Sequence, residues 1–185
     1  MPVDVDTLRL RVYPDPVLRA RATEIGTVND EVQAVAARML EIMREEEGIG
    51  LAAPQIGLSW RMFVTSVPEG DDRSAGGDPP SARPEPTVYI NPVLSEPEGR
   101  AEAGSEGCLS LPDIRGDVLR PPAITISALD AEGQRFTLRG TGLLARCWQH
   151  EMDHLDGVLI LDRMSQMSRL KNRSLIRELE RDWRG

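Results

Sequence analysis

The chain has 185 residues, of which 40% are hydrophobic and 28% charged, and its net charge is −8. This length predicts one globular domain, residues 1–185, that buries a sizeable core without disulfide bonds, and no apolar run is long enough to suggest a membrane protein. The acidic balance argues against nucleic acid as the main ligand, because phosphate binding needs clustered basic residues.

The C-terminal segment departs from this balance. From Arg163 onward there are seven basic and three acidic residues, a net charge of +4, which leaves −12 for the rest of the chain. The start, Met-Pro-Val-Asp-Val-Asp, has neither the basic nor the apolar part of a signal peptide. We therefore predict a cytoplasmic protein whose two cysteines, Cys108 and Cys147, stay reduced.

Residue patterns predict a turn, a helix and a Gly-rich segment in the first third of the chain. Tyr13-Pro14-Asp15-Pro16 indicates a turn, and a helix is predicted over 30–46, capped by Asn29 or Thr27. Its inward stripe is predicted to contain Val32, Val35, Ala36, Met39, Ile42 and Met43. Residues 48–57 are small and rich in Gly, which suits either close approach of the backbone to a ligand or a tight connection under a sheet.

Extended segments and one long polar insertion follow. Residues 68–86 are rich in Pro, Gly and acidic side chains, so they predict a mobile loop. Strands are predicted over 61–67, 87–94 with a break at Pro92, 102–111 and 114–120, and a hairpin over 123–129 and 134–138. A last helix is predicted over 165–183, with one apolar side formed by Leu170, Ile176, Leu179 and Trp183. The predicted fold class is α+β, with antiparallel or mixed sheets around a central helix and with helices near both termini.

The central helix, predicted over 142–157, carries the most informative pattern. One inward stripe of it contains Leu143, Cys147, His150 and His154, and Gly157 is placed for a left-handed C-cap. The two histidines are the only ones in the chain, and their spacing of four lets each give a nitrogen to one divalent metal. Glu151 lies beside them as a base for water. The alternative is a pair of core histidines that bond to backbone groups.

A catalytic metal of the zinc type needs a third protein ligand. Downstream of His154 the chain offers only acidic residues, and none is placed convincingly: Asp156, Asp162, Glu178, Glu180 and Asp182. Upstream, Cys108 could reach the helix from an extended segment, and a thiolate admits Fe(II) as well as zinc. The alternative for Cys108 is a small buried hydrophobe. Cys147 is predicted to line a pocket beside the metal rather than to bind it.

Three segments of the chain combine into a specific pattern: Gly48-Ile49-Gly50-Leu51-Ala52-Ala53-Pro54-Gln55, Glu106-Gly107-Cys108-Leu109-Ser110 and Gln149-His150-Glu151-Met152-Asp153-His154. In order and spacing they resemble the signature motifs of peptide deformylases, and the resemblance runs from Tyr13 through the final helix. The predicted helical C-terminus resembles that of the bacterial group with such an ending, and residues 68–86 look like an insertion relative to more compact members. The resemblance implies hydrolysis of the N-formyl group from the initiator methionine of nascent chains, with release of formate.

The resemblance also implies a role for each residue of the site. It implies three metal ligands, Cys108, His150 and His154. The metal would natively be Fe(II), with nickel, cobalt or zinc able to replace it. Glu151 would take a proton from the attacking water and return it to the departing amine. The side-chain amide of Gln55 and the backbone N–H of Leu109 would stabilise the oxyanion.

For the substrate, the resemblance implies strand-like pairing of the peptide with the backbone of Ile49, Gly50 and Gly107. It implies a methionine pocket lined by Glu106, Leu143, Arg146, Cys147 and the His150 ring. Arg146 stands where other members carry an apolar residue, and we predict that it pairs with Glu106 across the pocket rim; the alternative is a solvated arginine on the helix face. Arg115 matches a family arginine near the peptide path, although surface charge explains it nearly as well.

The basic C-terminal segment and two other function classes complete the expectations. Some deformylases dock on the ribosome through their C-terminal helix, and residues 165–185 suit such docking electrostatically, with a solvated amphipathic helix as the simpler alternative. A metalloprotease would share the two histidines and Glu151 but would cleave internal peptide bonds. A non-catalytic metal-binding or ribosome-associated module would show no turnover. No membrane and no direct nucleic-acid ligand is required.

Overall fold

Two antiparallel sheets and five α-helices make up residues 2–183, the part of the chain that the computed structural model describes. The α+β class is confirmed. The helices and strands are α1 Asp30–Glu45, β1 Gly50–Ala52, β2 Met62–Val67, β3 Arg83–Glu98, β4 Glu102–Cys108, β5 Leu111–Arg120, β6 Ala123–Leu129, β7 Arg135–Thr141, α2 Gly142–Leu155, α3 Ile160–Arg163, α4 Gln166–Lys171 and α5 Arg173–Asp182. No helix within residues 2–183 combines the length and the apolar character that crossing a bilayer requires.

The helix α1 follows its prediction closely. Asn29 is the N-cap, and its side chain accepts a hydrogen bond of 3.0 Å from the N–H of Val32. The six residues predicted for its inward stripe are the six that the structure buries. They pack with Leu51, Met62 and Val64 of β1 and β2 in one apolar cluster. This cluster fixes the start of the Gly-rich segment, which forms one wall of the site described below.

The larger sheet has the strand order β1-β2-β3-β6-β7, and β4 pairs with β5 in a separate two-stranded sheet, here called the β4–β5 hairpin. The predicted pairing of β6 with β7 is confirmed. β3 begins at Arg83, which pairs with Val67, so the loop predicted over 68–86 is shorter than expected and spans 68–82. The β3–β6 register shifts between Ile90 and Val93, a bulge that accommodates the missing N–H of Pro92 without ending the strand.

The helix α2 follows β7 without a connecting loop. β7 ends at Thr141 and α2 begins at Gly142, which has φ +55°. The indole N–H of Trp148 donates a hydrogen bond of 3.0 Å to the hydroxyl of Tyr89, so the helix is tied to β3 as well as packed on the larger sheet. Gly157, with φ +72°, follows the helix end as the sequence predicts. These contacts set the rotation of α2 and therefore the direction in which its histidines point.

The C-terminal helix predicted over 165–183 is two helices, and that prediction was wrong. Between α4 and α5, the side-chain amide of Asn172 donates to the backbone oxygens of Ser168 at 2.8 Å and Arg115 at 2.7 Å, which interrupts the helix and ties it to β5. Its single apolar side is lost as well, because Ile176 is buried whereas Leu170 is 62% exposed and Trp183 43%. Arg184 and Gly185, the end of the basic segment 165–185, lie outside the described residues.

Candidate active site

Three potential metal ligands meet at one point between two elements. Cys108 is the last residue of β4, whereas His150 and His154 lie one turn apart on α2. The Sγ of Cys108 is 3.3 Å from Nε2 of His154, which is 3.2 Å from Nε2 of His150. All three ligand atoms lie within 4.8 Å of one another. The predicted sulfur and the two predicted imidazoles therefore converge.

The donor set fits a divalent cation. Ligands held at about 2.0–2.3 Å by one tetrahedral ion lie roughly 3.3–3.8 Å from each other, close to the separations found here. Two imidazoles and one thiolate leave the fourth position of such an ion free, which is the arrangement of a catalytic rather than a structural site. The mixed nitrogen and sulfur donors suit Fe(II), cobalt, nickel or zinc better than magnesium or calcium.

The Glu106 carboxylate orients one of the ligands. Its Oε2 is 3.0 Å from Nδ1 of His150. Burial alone would raise the pKa of Glu106, but hydrogen bonds from Arg120 and His150 hold that pKa well below its usual range. Because the ionised carboxylate can only accept, Nδ1 of His150 donates to it, and Nε2 is the nitrogen that faces the other potential ligands.

Arg120 holds that carboxylate in place, and the sequence analysis missed it. Its Nε and Nη2 each lie 2.9 Å from an oxygen of Glu106, and its Nη1 lies 2.7 Å from Asp153 of α2. The signal was present in β5, where the buried positions alternate as Ile114, Gly116, Val118 and Arg120. An arginine on the buried face of a strand requires carboxylate partners, and α2 and β4 supply them.

The predicted pairing of Arg146 with Glu106 is present. Nη1 of Arg146 lies 3.0 Å from Oε1 of Glu106 and 2.9 Å from the backbone oxygen of Val118, and Nη2 lies 3.0 Å from the backbone oxygen of Glu102. The side chain is only 17% exposed. The alternative of a solvated arginine on the helix face was therefore wrong.

Glu151 lies beside the ligand cluster in an apolar setting. Its side chain is buried, and within residues 2–183 its Oε2 has no hydrogen-bond partner. Burial raises the pKa of Glu151 to about 7. A carboxylate with a pKa near neutrality suits a group that must take up a proton and then release it. A cation bound by the neighbouring ligands would favour the ionised form of the same group.

Gly50 leaves the space that Glu151 occupies. A Cβ added at Gly50 would collide with Oε1 of Glu151 and would lie 2.9 Å from Sγ of Cys147. The Gly-rich segment is thus packed closely, with β1 directly against α2.

Replacing Gly50 by Ala should reduce turnover about 100-fold, because displacing a reacting group by about 1 Å has an effect of that size. The kcat of the purified variant measures this effect, with its far-ultraviolet circular dichroism spectrum as a check of folding. Gly26→Ala is the matched control, since no atom lies within 4 Å of its added Cβ. A Gly50→Ala enzyme with wild-type kcat would mean that this close packing is unimportant for the reaction.

The Gln55 amide is oriented towards the cluster. Its Oε1 accepts a hydrogen bond of 2.8 Å from the N–H of Ala52, which turns Nε2 towards Sγ of Cys108 at 3.6 Å and Oγ of Ser110 at 3.1 Å. Gln55 is 1% exposed. A neutral donor therefore faces the position where substrate oxygen would develop charge.

The three potential metal ligands lie at a cavity of about 660 Å³. Every residue predicted for the site lines this cavity except His154, which lies beneath it and is 1% exposed. Leu143, Cys147 and Ile49 supply apolar surface, and Sγ of Cys147 is directed at the backbone oxygen of Ile49, 3.7 Å away. Arg115 lies near Gly107, whose added Cβ would be 3.0 Å from the guanidinium. The cavity is large enough for an extended peptide end with one side chain inserted.

Comparison with known proteins agrees with this geometry. Residues 7–170 match the family model described as polypeptide deformylase. A peptide deformylase of Alkalilimnicola ehrlichii is 41% identical over 177 residues, which cover 96% of this chain and 93% of that protein. Peptide deformylase 2 of Gloeobacter violaceus is 43% identical over 157 residues, covering 85% and 79%.

Solved structures give the same result. The crystal structure of peptide deformylase from Ehrlichia chaffeensis matches with a TM-score of 0.84 at 30% identity and covers 94% of this chain and 95% of that one. A peptide deformylase from Synechococcus elongatus in complex with actinonin matches with a TM-score of 0.79 at 36% identity, covering 94% and 86%.

Proposed function

Because this chain belongs to the polypeptide deformylase family, we propose that it removes the N-formyl group from the initiator methionine of nascent polypeptides and releases formate. Metal-dependent removal of the formyl group from nascent polypeptides is the reaction of the family, and the chain is an enzyme of that class. One observation carries the proposal for this chain's own residues: a cysteine sulfur and two imidazoles converge beside a buried carboxylate at a peptide-sized cavity. We also propose that residues 1–185 form one catalytic domain, since both sheets contribute to that cavity.

The metal ligands in this proposal are Cys108, His150 and His154, with Fe(II) as the native ion and nickel, cobalt or zinc as substitutes. A soft thiolate combined with imidazoles accepts each of these ions. When bound, the cation supplies Lewis acidity, which polarises the formyl carbonyl and makes a water molecule more acidic.

Glu151 is the proton carrier in this proposal. Its carboxylate takes a proton from the attacking water, whose oxygen forms a bond to the formyl carbon. The same carboxyl group then gives that proton to the amine nitrogen as the C–N bond breaks, so water and formamide become formate and a free amine. Burial of Glu151 supports this role, because only a small part of the carboxyl group is open to bulk solvent.

Two donors stabilise the charge that develops on the formyl oxygen. They are the Gln55 side-chain amide, held by Ala52, and the backbone N–H of Leu109 next to Cys108. Donors already in position need no reorganisation during the reaction, which is why one such group is typically worth about 2.7–4 kcal/mol.

The substrate peptide lies between the edges of the two sheets in this proposal. Pairing groups are offered by the backbone of Ile49 and Gly50, at the start of β1, and by that of Gly107 in β4, all of which line the cavity. The methionine side chain enters the pocket formed by Leu143, Cys147, Glu106, Arg146 and the His150 ring, and Arg115 contacts the peptide farther along.

The formyl-Met-Ala-Ser assay tests the function directly. We expect formate release by the metal-loaded enzyme, loss of activity after chelation, and recovery on adding Fe(II) or Ni(II) without oxygen, because a ferrous thiolate site is sensitive to oxidation. A metalloprotease would cut internal bonds of an unformylated peptide, and a non-catalytic module would release no formate. Either result would contradict the proposal.

The basic C-terminal helices support a ribosomal partner and a cytoplasmic location. Lys171, Arg173 and Arg177 are exposed on α4 and α5. Nascent formylated chains emerge at the ribosome, so docking by these cations would place the cavity near its substrate. The attraction would be to phosphate charge and would weaken with salt.

Changing Lys171, Arg173 and Arg177 together to Glu should weaken co-sedimentation with ribosomes about tenfold or more at low salt, with kcat on free formyl-peptide unchanged. These side chains are exposed, so the substitutions test charge without exposing the apolar residues beneath. The matched control changes exposed Arg9, Arg100 and Arg135 to Glu, which alters the net charge equally elsewhere. Equal co-sedimentation of both triple variants would count against docking through α4 and α5.

A further inference from the structure

We propose that Arg146 is a positioning residue for the metal ligand His150, acting through Glu106, and that it holds the β4–β5 hairpin in place against α2. The inference rests on the metal-ligand set proposed above. It assigns a function to a side chain that lines the pocket and whose charge is paired with Glu106 rather than with a substrate.

The ligands come from two parts of the fold that are not held together by sheet pairing. α2 packs on the larger sheet with Trp148 and Leu144 in its core, whereas Cys108 belongs to the β4–β5 hairpin, which is a separate sheet. The distance between the sulfur and the imidazoles therefore depends on side chains that join the helix to the hairpin.

Arg146 makes three of those joining contacts from one guanidinium. It reaches the Glu106 carboxylate and the backbone oxygen of Glu102 on β4, and the backbone oxygen of Val118 on β5. One helix residue thereby bonds to both strands of the hairpin. A lysine could not reproduce this, because only the planar guanidinium presents several donors in fixed directions.

The Glu106 carboxylate is held from both sides. Arg120 of β5 and Arg146 of α2 both donate hydrogen bonds to this carboxylate. Its Oε2 also contacts Nδ1 of His150 and orients that ring. Removing Arg146 leaves the Arg120–Glu106 pair and the Arg120 contact with Asp153 in place, but Glu106 loses one of the contacts that fix it relative to the helix that carries His150. Partners that orient a ligand from outside the metal sphere typically affect metal affinity about 10–100-fold.

Gly104 makes room for this arrangement. A Cβ added there would lie 2.6 Å from Cζ of Arg146. Gly104 is not among the residues with positive φ, so an alanine fits its backbone and conflicts only with the guanidinium. Gly104→Ala therefore displaces Arg146 without removing any charge, and it provides a second route to the same effect.

Because Nη1 and Nη2 are both hydrogen-bonded to the hairpin, we infer that Arg146 presents its aliphatic stem to the cavity that it lines. At this point the pocket wall is formed by the CH₂ groups of Arg146, which suit an apolar methionine side chain. Arg146→Met keeps an unbranched apolar stem and removes only the guanidinium, so it separates positioning from the shape of the wall.

The test uses Co(II) alone as the probe, bound to the full chain without oxygen. We expect Arg146→Met to weaken Co(II) affinity about tenfold in competition with a chelator and to shift the visible absorption of the Co(II)-saturated protein. A smaller folded fraction would lower the amplitude of that absorption but would not move its maximum. We expect Gly104→Ala to produce the same shift, and the double variant to be no weaker than Arg146→Met, since both act on one contact.

Gly26→Ala and Arg135→Met are the matched controls, since both positions lie away from the cavity. Wild-type affinity and an unchanged spectrum in Arg146→Met would overturn the inference. So would full additivity of the two substitutions. Failure of the ligand set itself would look different, because wild-type protein would then show no thiolate-to-cobalt absorption, and Cys108→Ser would bind Co(II) like the wild type.

Discussion

Replacing Glu151 by Gln should lower kcat for formyl-peptide hydrolysis by about 10²–10⁴-fold, the usual contribution of a positioned acid–base group. The amide keeps the shape of the side chain between Gly50 and the ligand cluster but cannot accept the proton of the attacking water. The three ligand atoms belong to other residues, so metal content should stay near one ion per chain. Steady-state formate release and elemental analysis of the same preparation measure the two quantities.

Glu178→Gln is the matched control, because Glu178 is exposed on α5 and far from the cavity. Its kcat should equal that of the wild type. If Glu151→Gln retained kcat within about threefold while binding the metal normally, another group would have to carry the proton, and the mechanism proposed for this chain would be wrong.

Replacing Arg120 by Met should reduce the free energy of unfolding by about 3 kcal/mol, at the lower end of the range for removing one partner of a buried ion pair. Arg120 is 5% exposed and pairs with both Glu106 and Asp153. The loss is moderated because Glu106 keeps Arg146 and Asp153 keeps Arg163. For a domain of this size, we expect Tm to fall by roughly 6–12 °C.

The measurement is urea unfolding of the metal-free protein, so that loss of metal does not contribute to the difference. Arg181→Met is the control, because Arg181 forms only an exposed pair with Asp182, and its removal should change stability by less than about 0.5 kcal/mol. An Arg120→Met protein as stable as the control would show that the buried network contributes little to the fold.

The ligand-bearing helix could be predicted because its chemistry is local. The spacing of His150 and His154 and the position of Gly157 follow from helical geometry alone, and the motif around Cys108 pointed to the third proposed ligand through its resemblance to a family. The role of Arg120 could not be found in the same way. Its partners lie 14 and 33 residues away, so only the alternation of β5 indicated that an arginine would be buried.

Fold predictions were accurate for helices and strands that bury one face against a single hydrophobic core. The inward stripe of α1 and the pairing of β6 with β7 are of this kind. They were wrong where a tertiary contact overrides a local preference. β3 continues back to Arg83 through Pro-rich sequence because β2 extends alongside it, and the last helix divides because the Asn172 amide bonds to the backbone of Arg115.

The direct junction between Thr141 and Gly142 limits how the chain can vary in length. With no connector between the last strand and the ligand-bearing helix, one inserted residue there would turn the imidazoles by about 100° around the helix axis, away from the sulfur. Insertions at residues 69–78 should leave that angle unchanged, since this part of the β2–β3 connection lies outside the cavity lining, whereas Pro80 and Ser81 accept hydrogen bonds from the N–H groups of Thr141 and Leu144 at the junction itself. We therefore expect a tag or domain inserted within residues 69–78 to leave the positions of Cys108, His150 and His154 unchanged.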